Sequence, residues 1–442
     1  MQRKKGLLVA MMLFSVKVFA LSQAETTLWS GYQDAVHNDP VFMQQKATLQ
    51  EAEQSVPEAR SYLFPQLLMN AQLANTYQNA APFGSNNFNS NNYGINLSQT
   101  IFNMSQFNAL KQAKVSVQAA AALFSAQTQD LIVRYMRAYL AVLQARDLLR
   151  YTQSQADFAH QFYGMTQKRY DLRFATITEI DQAKQQYQLF RAQTITAKIT
   201  YDQSLQNLRN ITAMHYAGLK GFQSHFPVLH LSSENIDQWV ALAKKQNLFL
   251  RAAVLDMLAA KSQIDVKKSD FLPTVSGTSN YSDNNQLSTP GPSAVLEKVR
   301  STEVGLNLSW NIVQGGLTIA QTRKATSAYE RAVDLMQQKY LETITNTQNA
   351  YIGVTEGANS VFASKLAMQE GLSALQHTRS GFSAGVQSIF DLLQTQNRLF
   401  ESERQYVQNF YQYILNTILL KQAVGTLSPQ DVFLLNKQVS KK

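Results

Sequence analysis

The sequence predicts a mixed α and β chain that consists of two copies of one structural unit. Three observations lead to this prediction. Short landmarks recur in the same order at a nearly constant spacing, each half contains two segments of alternating polarity, and each half contains a long stretch without proline. Alternation with a period of two is typical of strands, whereas proline interrupts helices. A duplicated order of helices and hairpins satisfies all three observations.

The composition limits the class of protein. Of the 442 residues, 45% are hydrophobic and only 16% are charged, which argues against bulk disorder. The absence of cysteine excludes disulfides, thiolate catalysis and cysteine-based zinc sites. The formal net charge of +10 is spread along the chain and gives little support for a partner made of nucleic acid.

Residues 1–24 have the pattern of a secretory signal peptide. Three cations at positions 3–5 precede a short apolar run, residues 6–16, and small residues allow cleavage after Ala20 or Ala24. A spanning helix needs about 20 apolar residues, so an uncleaved anchor is the less favoured alternative. We therefore expect the chain to leave the cytoplasm.

The internal duplication defines the expected domain organisation. The matching segments are 61–65 with 269–273 (SYLFP and SDFLP), 94–98 with 305–309 (GINLS and GLNLS), and 176–180 with 388–392 (TITEI and SIFDL). They predict a first repeat over 25–211 and a second over 236–427. The connector between them, residues 212–235, contains glycine and proline and should have little regular structure. The tail, residues 428–442, is expected to be loosely held.

Each repeat is expected to begin with a helix and a hairpin. A helix of about 30 residues should end near Pro65 or Pro273, because proline stops a helix. In the first repeat a strand over 66–77 precedes a loop rich in Gly, Asn and Ser, residues 78–92, and then a second strand over 93–98. The second repeat has the same order: a strand from Val275, a loop that reaches Pro292, and a strand that includes Trp310 and Ile312.

Very long helices should follow each hairpin. Residues 105–172 and 317–382 lack proline, and at about 1.5 Å per residue the first would span roughly 100 Å. After a break, shorter helices are expected over 177–211 and 389–424. Helices of this length exceed the ordinary globular range and indicate coiled-coil packing.

The four strands admit two interpretations. A strand over 66–77 would extend roughly 40 Å, and with a tilt of about 40° it matches a hydrocarbon core of about 30 Å. Four strands cannot close a barrel, but three copies supply twelve. The polar side chains expected to face a wet lumen are Asn70, Gln72, Asn96, Ser98 and Asn307. The alternative is a soluble α+β adhesin or tip domain whose sheet is covered by helix or coil.

Two further segments lead to a family. Residues 169–180 (RYDLRFATITEI) and 381–393 (GFSAGVQSIFDLL), together with the duplication and the order of elements, resemble the TolC family of outer-membrane efflux channels over about residues 25–428. The resemblance implies a homotrimer whose twelve-stranded barrel in outer-membrane lipid continues as a twelve-helix periplasmic tunnel, with the connector in the equatorial region. It implies no enzymatic activity and no cofactor.

The resemblance also implies partners. Such channels dock with a periplasmic adaptor and an inner-membrane pump of the RND or ABC type, and pass drugs or secreted proteins from a Gram-negative cell. The chain would therefore be a passive exit duct in tripartite efflux or type I secretion. The residues expected to form the adaptor-docking tip are Leu172, Arg173, Phe174, Ala384, Gly385 and Val386. Tight-turn chemistry alone would also explain the glycines.

A periplasmic gate is implied at the same tips. By position, Asp391 matches a pore-lining aspartate, and three copies would form an acidic ring in a cation-preferring pore. Glu179 matches an acidic gate residue, and Thr178 and Phe382 match a hydrogen-bonded pair. A simpler role for Asp391, as an N-terminal charge stabilised by the helix dipole, stays open.

The gate departs from the family pattern at several positions. Phe382 lacks the hydroxyl of the tyrosine that is common there, and Gln387 stands where an arginine is expected. Gln394 stands where a second aspartate could lie. We hypothesise that Glu179 uses Gln387 as a hydrogen-bond partner, or that Arg173 supplies a replacement cation. If both Arg173 and Glu179 are solvated turn residues, neither link forms.

No other chemistry is evident in the sequence. The histidines of the connector, at positions 215, 225 and 230, fit no ligand spacing, and no phosphate loop or nucleophile motif occurs. An envelope enzyme is therefore the least favoured function. The main alternative to an exit duct is a structural or adhesive helical envelope protein without a conducting lumen.

Overall fold

The computed structural model describes residues 26–80, 84–222, 235–287 and 296–438. The predicted signal peptide, residues 1–24, lies outside the described residues. The fold is mixed α and β and internally duplicated, as the sequence predicts. The first repeat contains α1 (Leu28–Asn38), α2 (Pro40–Ser61), β1 (Gln66–Ala80), β2 (Gly84–Phe102), α3 (Met104–Asp171) and α4 (Ile177–Thr212). The second contains α5 (Ile236–Gln246), α6 (Leu248–Ser269), β3 (Thr274–Leu287), β4 (Leu296–Ser309), α7 (Leu317–Ser383) and α8 (Ile389–Val424), and α9 (Pro429–Asn436) follows.

The first helix of each repeat is broken, so the prediction of one helix of about 30 residues is wrong. In the first repeat Asp39 has an extended backbone, and its carboxylate accepts the Phe42 N–H at the start of α2. Pro40 occupies the first position of α2, where its missing N–H is not needed. Asn247 breaks the second repeat in the same way and caps α6 through the Leu250 N–H. These side-chain caps compete with the continuous helix.

The strands differ from the prediction at their ends. The loop expected over 78–92 is wrong, because β1 and β2 stay paired in register as far as Ala80 and Gly84. Amides across the strands stabilise this polar extension, as in the bond from Asn75 Nδ2 to Asn89 Oδ1 at 2.8 Å. In the second repeat, residues 288–295 of the expected loop lie outside the described part.

The strand expected to include Trp310 and Ile312 ends earlier, at Ser309. The Trp310 indole donates a hydrogen bond to the Phe271 carbonyl at 3.1 Å. This contact joins the chain that follows β4 to the turn that follows α6. Trp310 and Ile312 are therefore exposed loop residues.

The sheet is an antiparallel meander in the order β1-β2-β3-β4. Residues that are directly opposite share a face, so the register separates two kinds of surface. One face is apolar near the helices, with Leu67, Met69, Ile95, Leu97, Val304 and Leu306, and it ends at an ion pair between Asp283 and Arg300. The other face holds the polar residues Asn70, Gln72, Asn96, Ser98, Asn280 and Asn307. The predicted sharing of one face by the polar residues is confirmed.

The principal core lies where α1, α3, α8 and α9 meet. Tyr135 is fully buried there, and its hydroxyl donates to the Leu28 carbonyl at 2.9 Å. Val432 of α9 is also fully buried, and Lys421 forms an ion pair with Asp431 at 2.6 Å. The prediction of a loosely held tail is therefore wrong for residues 428–438, because apolar burial and this ion pair hold α9 in place.

A buried ion pair joins α2 to α3 at the edge of this core. The Asp39 carboxylate is 2% exposed and accepts two hydrogen bonds from the Arg134 guanidinium, at 2.7 and 3.3 Å. Arg134 also pairs with Asp130 at 2.8 Å. Asp39 thus caps α2 and neutralises a cation of α3 at the same time.

A second contact, the α3–α5–α8 junction, joins the ends of α5 and α8 to α3. It consists of Gln129, Asn247 and Gly425. Gln129 donates to the Gly425 carbonyl at 3.0 Å, and Asn247 donates to the Ala423 carbonyl at 2.9 Å. Gly425 has a φ of 83° and lies so close to Gln246 that a Cβ there would overlap its carbonyl oxygen.

Within the described ranges, no helix is both long enough and apolar enough to cross a membrane.

Candidate functional site at the helix tips

The helix tips are the turns that join α3 to α4 and α7 to α8, and both turns close in the same way. The Phe174 N–H donates to the Arg169 carbonyl at 2.7 Å, and the Val386 N–H donates to the Gly381 carbonyl at 2.9 Å. Each is the six-to-one bond of a Schellman motif, which places the preceding residue in the left-handed region. That residue is Gly385 in one tip, with φ 76°, and Arg173 in the other, with φ 63°.

Arg173 adopts this conformation at a cost that glycine avoids. A non-glycine residue in the left-handed region is strained by about 1–2 kcal/mol because its Cβ crowds the following carbonyl. The equivalent position in the second repeat is glycine. Arg173 therefore occupies a position where the backbone conformation alone favours glycine.

Both predicted acidic residues belong to capping boxes. The Glu179 carboxylate accepts the N–H and the hydroxyl of Thr176, whose own oxygen accepts the Glu179 N–H. Asp391 and Ser388 form the same reciprocal bonds at the start of α8. The spacing of Ser or Thr three residues before an acid is the sequence signal of such a box. The two acids therefore occupy equivalent positions in the two repeats.

The capping box also lowers the pKa of Asp391. Hydrogen bonds from the Ser388 hydroxyl and from the Ser388 N–H lower the pKa of Asp391. The carboxylate, which is ionised at neutral pH, is held by these bonds at the first turn of α8, where the helix dipole favours a negative charge.

The remaining predicted gate residues lie around these boxes. Thr178 and Gln394 are exposed at the starts of α4 and α8. Gln387 packs its side chain against Gly381, where a Cβ would approach its Cγ to 2.7 Å. Within the described part of the chain, Glu179 bonds Thr176 and forms no ion pair with Arg173. The link from Glu179 to Gln387 or Arg173 stays a prediction.

Phe382 is embedded in an aromatic cluster that the sequence did not indicate. Its ring lies 5.8 Å from the Phe162 ring, and the Arg169 guanidinium lies over it at 5.1 Å. The buried members of the cluster are Phe162, Ala183 and Leu392, so it joins α3, α4, α7 and α8. An arginine above an aromatic face is stabilised by about 0.5–2 kcal/mol. Phe382 therefore contacts Phe162 and Arg169 through its ring, whereas a tyrosine at this position could also form a hydrogen bond through its hydroxyl.

The tips also expose large apolar side chains. In the turn from α3 to α4, Phe174 is 73% exposed and Leu172 is also exposed. In the turn from α7 to α8, Val386 is 80% exposed. Ala384 and Gly385 add no bulk to the second turn. These residues form an apolar end surface, with Arg173 as its cation.

A carboxyl group farther along α8, that of Glu403, is half-buried on the side that faces α3. Glu403 packs near Arg150 and Tyr151 of α3, and burial raises the pKa of Glu403 to about 7, although Arg150 opposes the shift. A folded-state pKa above the unfolded value means that the folded chain binds the proton more tightly. Stability is therefore greatest below the unfolded pKa and decreases as the pH rises toward 7.

Replacing Glu403 with glutamine should remove this pH dependence. At pH 8 the variant should be more stable than the wild type by about 1–2 kcal/mol per chain, a value reduced for solvent screening, and at pH 3.5, where the carboxyl is protonated in both the folded and the unfolded chain, the two should be nearly equal. Thermal unfolding followed by circular dichroism at both pH values measures the difference. Glu401→Gln, an exposed change on the same helix, should show no such gain at pH 8. An equal gain in both variants contradicts the assignment.

The side chains of the described residues offer no group of three His, Asp or Glu that could hold a metal ion. His215 lies in the described part of the connector, whereas positions 225 and 230 lie outside it. The tips contain capped acids, an aromatic cluster and exposed apolar residues, which suit binding and gating rather than covalent chemistry.

A two-faced sheet continued by paired helices with acidic tips is the architecture of an envelope channel. The family model described as "Outer membrane efflux protein" matches residues 31–213 and 239–426. The chain therefore belongs to the outer membrane efflux protein family. It is an outer-membrane protein with a large periplasmic helical portion, and it is a channel component rather than an enzyme.

Known proteins resemble the chain over almost its whole length. Outer membrane protein TolC of Escherichia coli K12 is 28% identical over 96% of this chain and 86% of its own. The alkaline protease secretion protein AprF of Pseudomonas aeruginosa is 23% identical over 92% of this chain and 86% of its own. Among solved structures, Campylobacter jejuni CmeC, an outer membrane channel, shares the fold with a TM-score of 0.77 and 14% identity, covering 99% and 98% of the two chains.

Proposed function

We propose that three copies of this chain form a passive exit duct in the outer membrane, serving an efflux pump or a type I secretion system. The observation that carries the proposal is the two-faced sheet in a member of the efflux family. Its apolar face suits lipid, and its amide-rich face suits a wet lumen. The energy for transport would come from the partner pump.

The open sheet edges support assembly. Among the described strands β1 pairs only with β2, and β4 pairs only with β3. Unpaired strand edges cannot face lipid, because their backbone groups would have no hydrogen-bond partners there. Pairing of β4 with β1 of the next copy satisfies both edges, and three copies close a ring of twelve strands.

The acidic capping boxes support an entrance at the helix tips. Three copies of Asp391, ionised and held by Ser388, would surround the axis as a ring of negative charge. Three copies of Glu179 would form a second acidic ring near the turns that join α3 to α4. Links from Glu179 to Gln387 or Arg173, and packing around Thr178, Phe382 and Gln394, would join neighbouring helix pairs and restrict the opening.

Conductance of the purified trimer in planar lipid bilayers tests this proposal. Asp391→Asn removes the charge with little change of shape, whereas Ser388→Ala removes the capping hydroxyl and leaves the carboxylate. We expect cation-preferring openings in the wild type and in Ser388→Ala. The cation-to-anion permeability ratio should decrease about three- to tenfold in Asp391→Asn, since a factor of ten corresponds to 1.4 kcal/mol.

The outcomes separate the duct from the gate assignment. Openings with equal selectivity in all three proteins support the duct and reject Asp391 as the constriction. Absence of openings from a folded trimer at every voltage supports the alternative, a structural or adhesive envelope protein without a conducting lumen.

The apolar end surface supports docking of a periplasmic adaptor at the tips. Leu172, Phe174 and Val386 are too exposed to serve the fold, and the strained Arg173 adds a cation beside them. A photoreactive residue at position 386 should cross-link to an adaptor in intact cells. The same residue at Ile195, exposed on α4 far from the tips, is the control. Equal labelling at both positions contradicts docking at the tips.

A further inference from the structure

A cavity lies between α3 and α7 just inside the helix tips. Its volume is about 600 Å³, within the range of about 300–1,000 Å³ that is usual for ligand sites. Its apolar lining consists of Phe158, Phe162 and Met165 of α3, Phe382 of α7 and Leu392 of α8. The walls therefore suit an aromatic or other rigid apolar body.

Two cations but no acid line this cavity. Arg169 comes from α3 and Arg379 from α7. Within the described ranges neither guanidinium forms an ion pair, and Arg169 is held over the Phe382 ring. An arginine presents several donors in a planar fork that matches carboxylate, sulfonate or phosphate oxygens. The charge of the cavity is therefore not balanced by the side chains around it.

We propose that this cavity binds an amphipathic organic anion, with an aromatic or alicyclic body packed against the phenylalanine rings and an acidic group within reach of Arg169 and Arg379. Such a ligand would contact α3 and α7 together and would stabilise their present arrangement at the entrance. The site needs only the folded tips, so its binding test and the conductance test can fail independently.

The test uses 2-naphthalenesulfonate, a small aromatic anion, and the intact trimer in non-ionic detergent. Isothermal titration calorimetry against a detergent blank measures the affinity. Arg169→Gln and Arg379→Gln should each weaken binding about tenfold, because each removes a charged hydrogen-bond donor to the acidic group of the probe. Arg331→Gln, an exposed change on α7 distant from the tips, should leave binding unchanged.

Two further measurements separate the walls from the charges. Met165→Trp should fill the cavity and weaken binding about tenfold while both arginines remain, and 2-naphthol, which is neutral, should bind about tenfold more weakly than the sulfonate. The proposal is overturned by undetectable binding at millimolar probe. Equal affinity in the wild type and in both tip arginine variants also overturns it.

Discussion

Replacing Gly425 with alanine should prevent assembly of a stable trimer. The new Cβ would overlap the Gln246 carbonyl oxygen, and the φ of 83° is one that alanine rarely adopts. Left-handed strain and overpacking each cost about 1–3 kcal/mol, so we expect a loss of about 3–5 kcal/mol per chain. The α3–α5–α8 junction would separate, because Gln129 and Asn247 donate hydrogen bonds to carbonyls at this turn.

Gly164→Ala is the matched control for this effect. Gly164 lies inside α3 with no atom within 4 Å of an added Cβ, so alanine should stabilise that helix by about 0.5–1 kcal/mol. Trimer yield and the thermal unfolding midpoint measure both variants. If Gly425→Ala unfolds at the same temperature as Gly164→Ala, the close approach to Gln246 is not a constraint.

Replacing Arg134 with methionine should have an effect of similar size. The substitution leaves the Asp39 carboxylate, only 2% exposed, without its cation in an apolar region. Removal of one partner from a buried ion pair costs about 3–5 kcal/mol, because the other charge stays unpaired. Unfolding of the periplasmic portion by denaturant, followed by circular dichroism, measures this loss.

The double variant Asp39→Asn with Arg134→Met separates the charge from the cap. Asparagine can still accept the Phe42 N–H at the start of α2 but carries no charge. We expect the double variant to recover at least half of the unfolding free energy that Arg134→Met loses. If the double variant is less stable than Arg134→Met alone, an unpaired carboxylate is not the cause of the loss.

The helix boundaries were predictable because their caps are local. The predicted helix over 389–424 coincides with α8, which Ser388 caps at its start and Gly425 ends. The break at Asn247 was not predictable in the same way, because no proline follows it and its side chain bonds the distant Ala423 carbonyl. Local propensity sets a boundary only where tertiary contacts do not compete.

The hairpin was misjudged because its composition resembles a turn. Asn and Ser occupy both faces of β1 and β2 beyond Leu73, so the alternation that marks a strand disappears there. The register is set instead by cross-strand amide bonds such as that between Asn75 and Asn89. Such bonds have no signature in one segment taken alone.

The helix tips were located by resemblance, but their chemistry was only partly predictable. The boxes at Thr176 and Ser388 follow a local spacing and could have been recognised from it. The cavity between α3 and α7 could not, because Arg169 and Arg379 are far apart in the chain and meet only when the long helices pack. Two arginines without an ion-pair partner indicate a binding site only when the structure shows that aromatic side chains line the same cavity.

The meander order of the sheet has a consequence for the assembly of the proposed ring of twelve strands. Within one chain β2 pairs with β3, as in the contact between Asn96 and Asn280, and this seam joins the first repeat to the second. In the proposed trimer, the seam between copies would pair β4 with β1 of the next chain. It would join a second repeat to a first repeat, so it would be nearly equivalent to the β2–β3 seam. Six separate copies of a single two-stranded repeat could close the same ring, because each copy would pair its first strand with one neighbour and its second strand with the other. Duplication makes three of the six seams intramolecular, so assembly depends on the encounter of three chains instead of six.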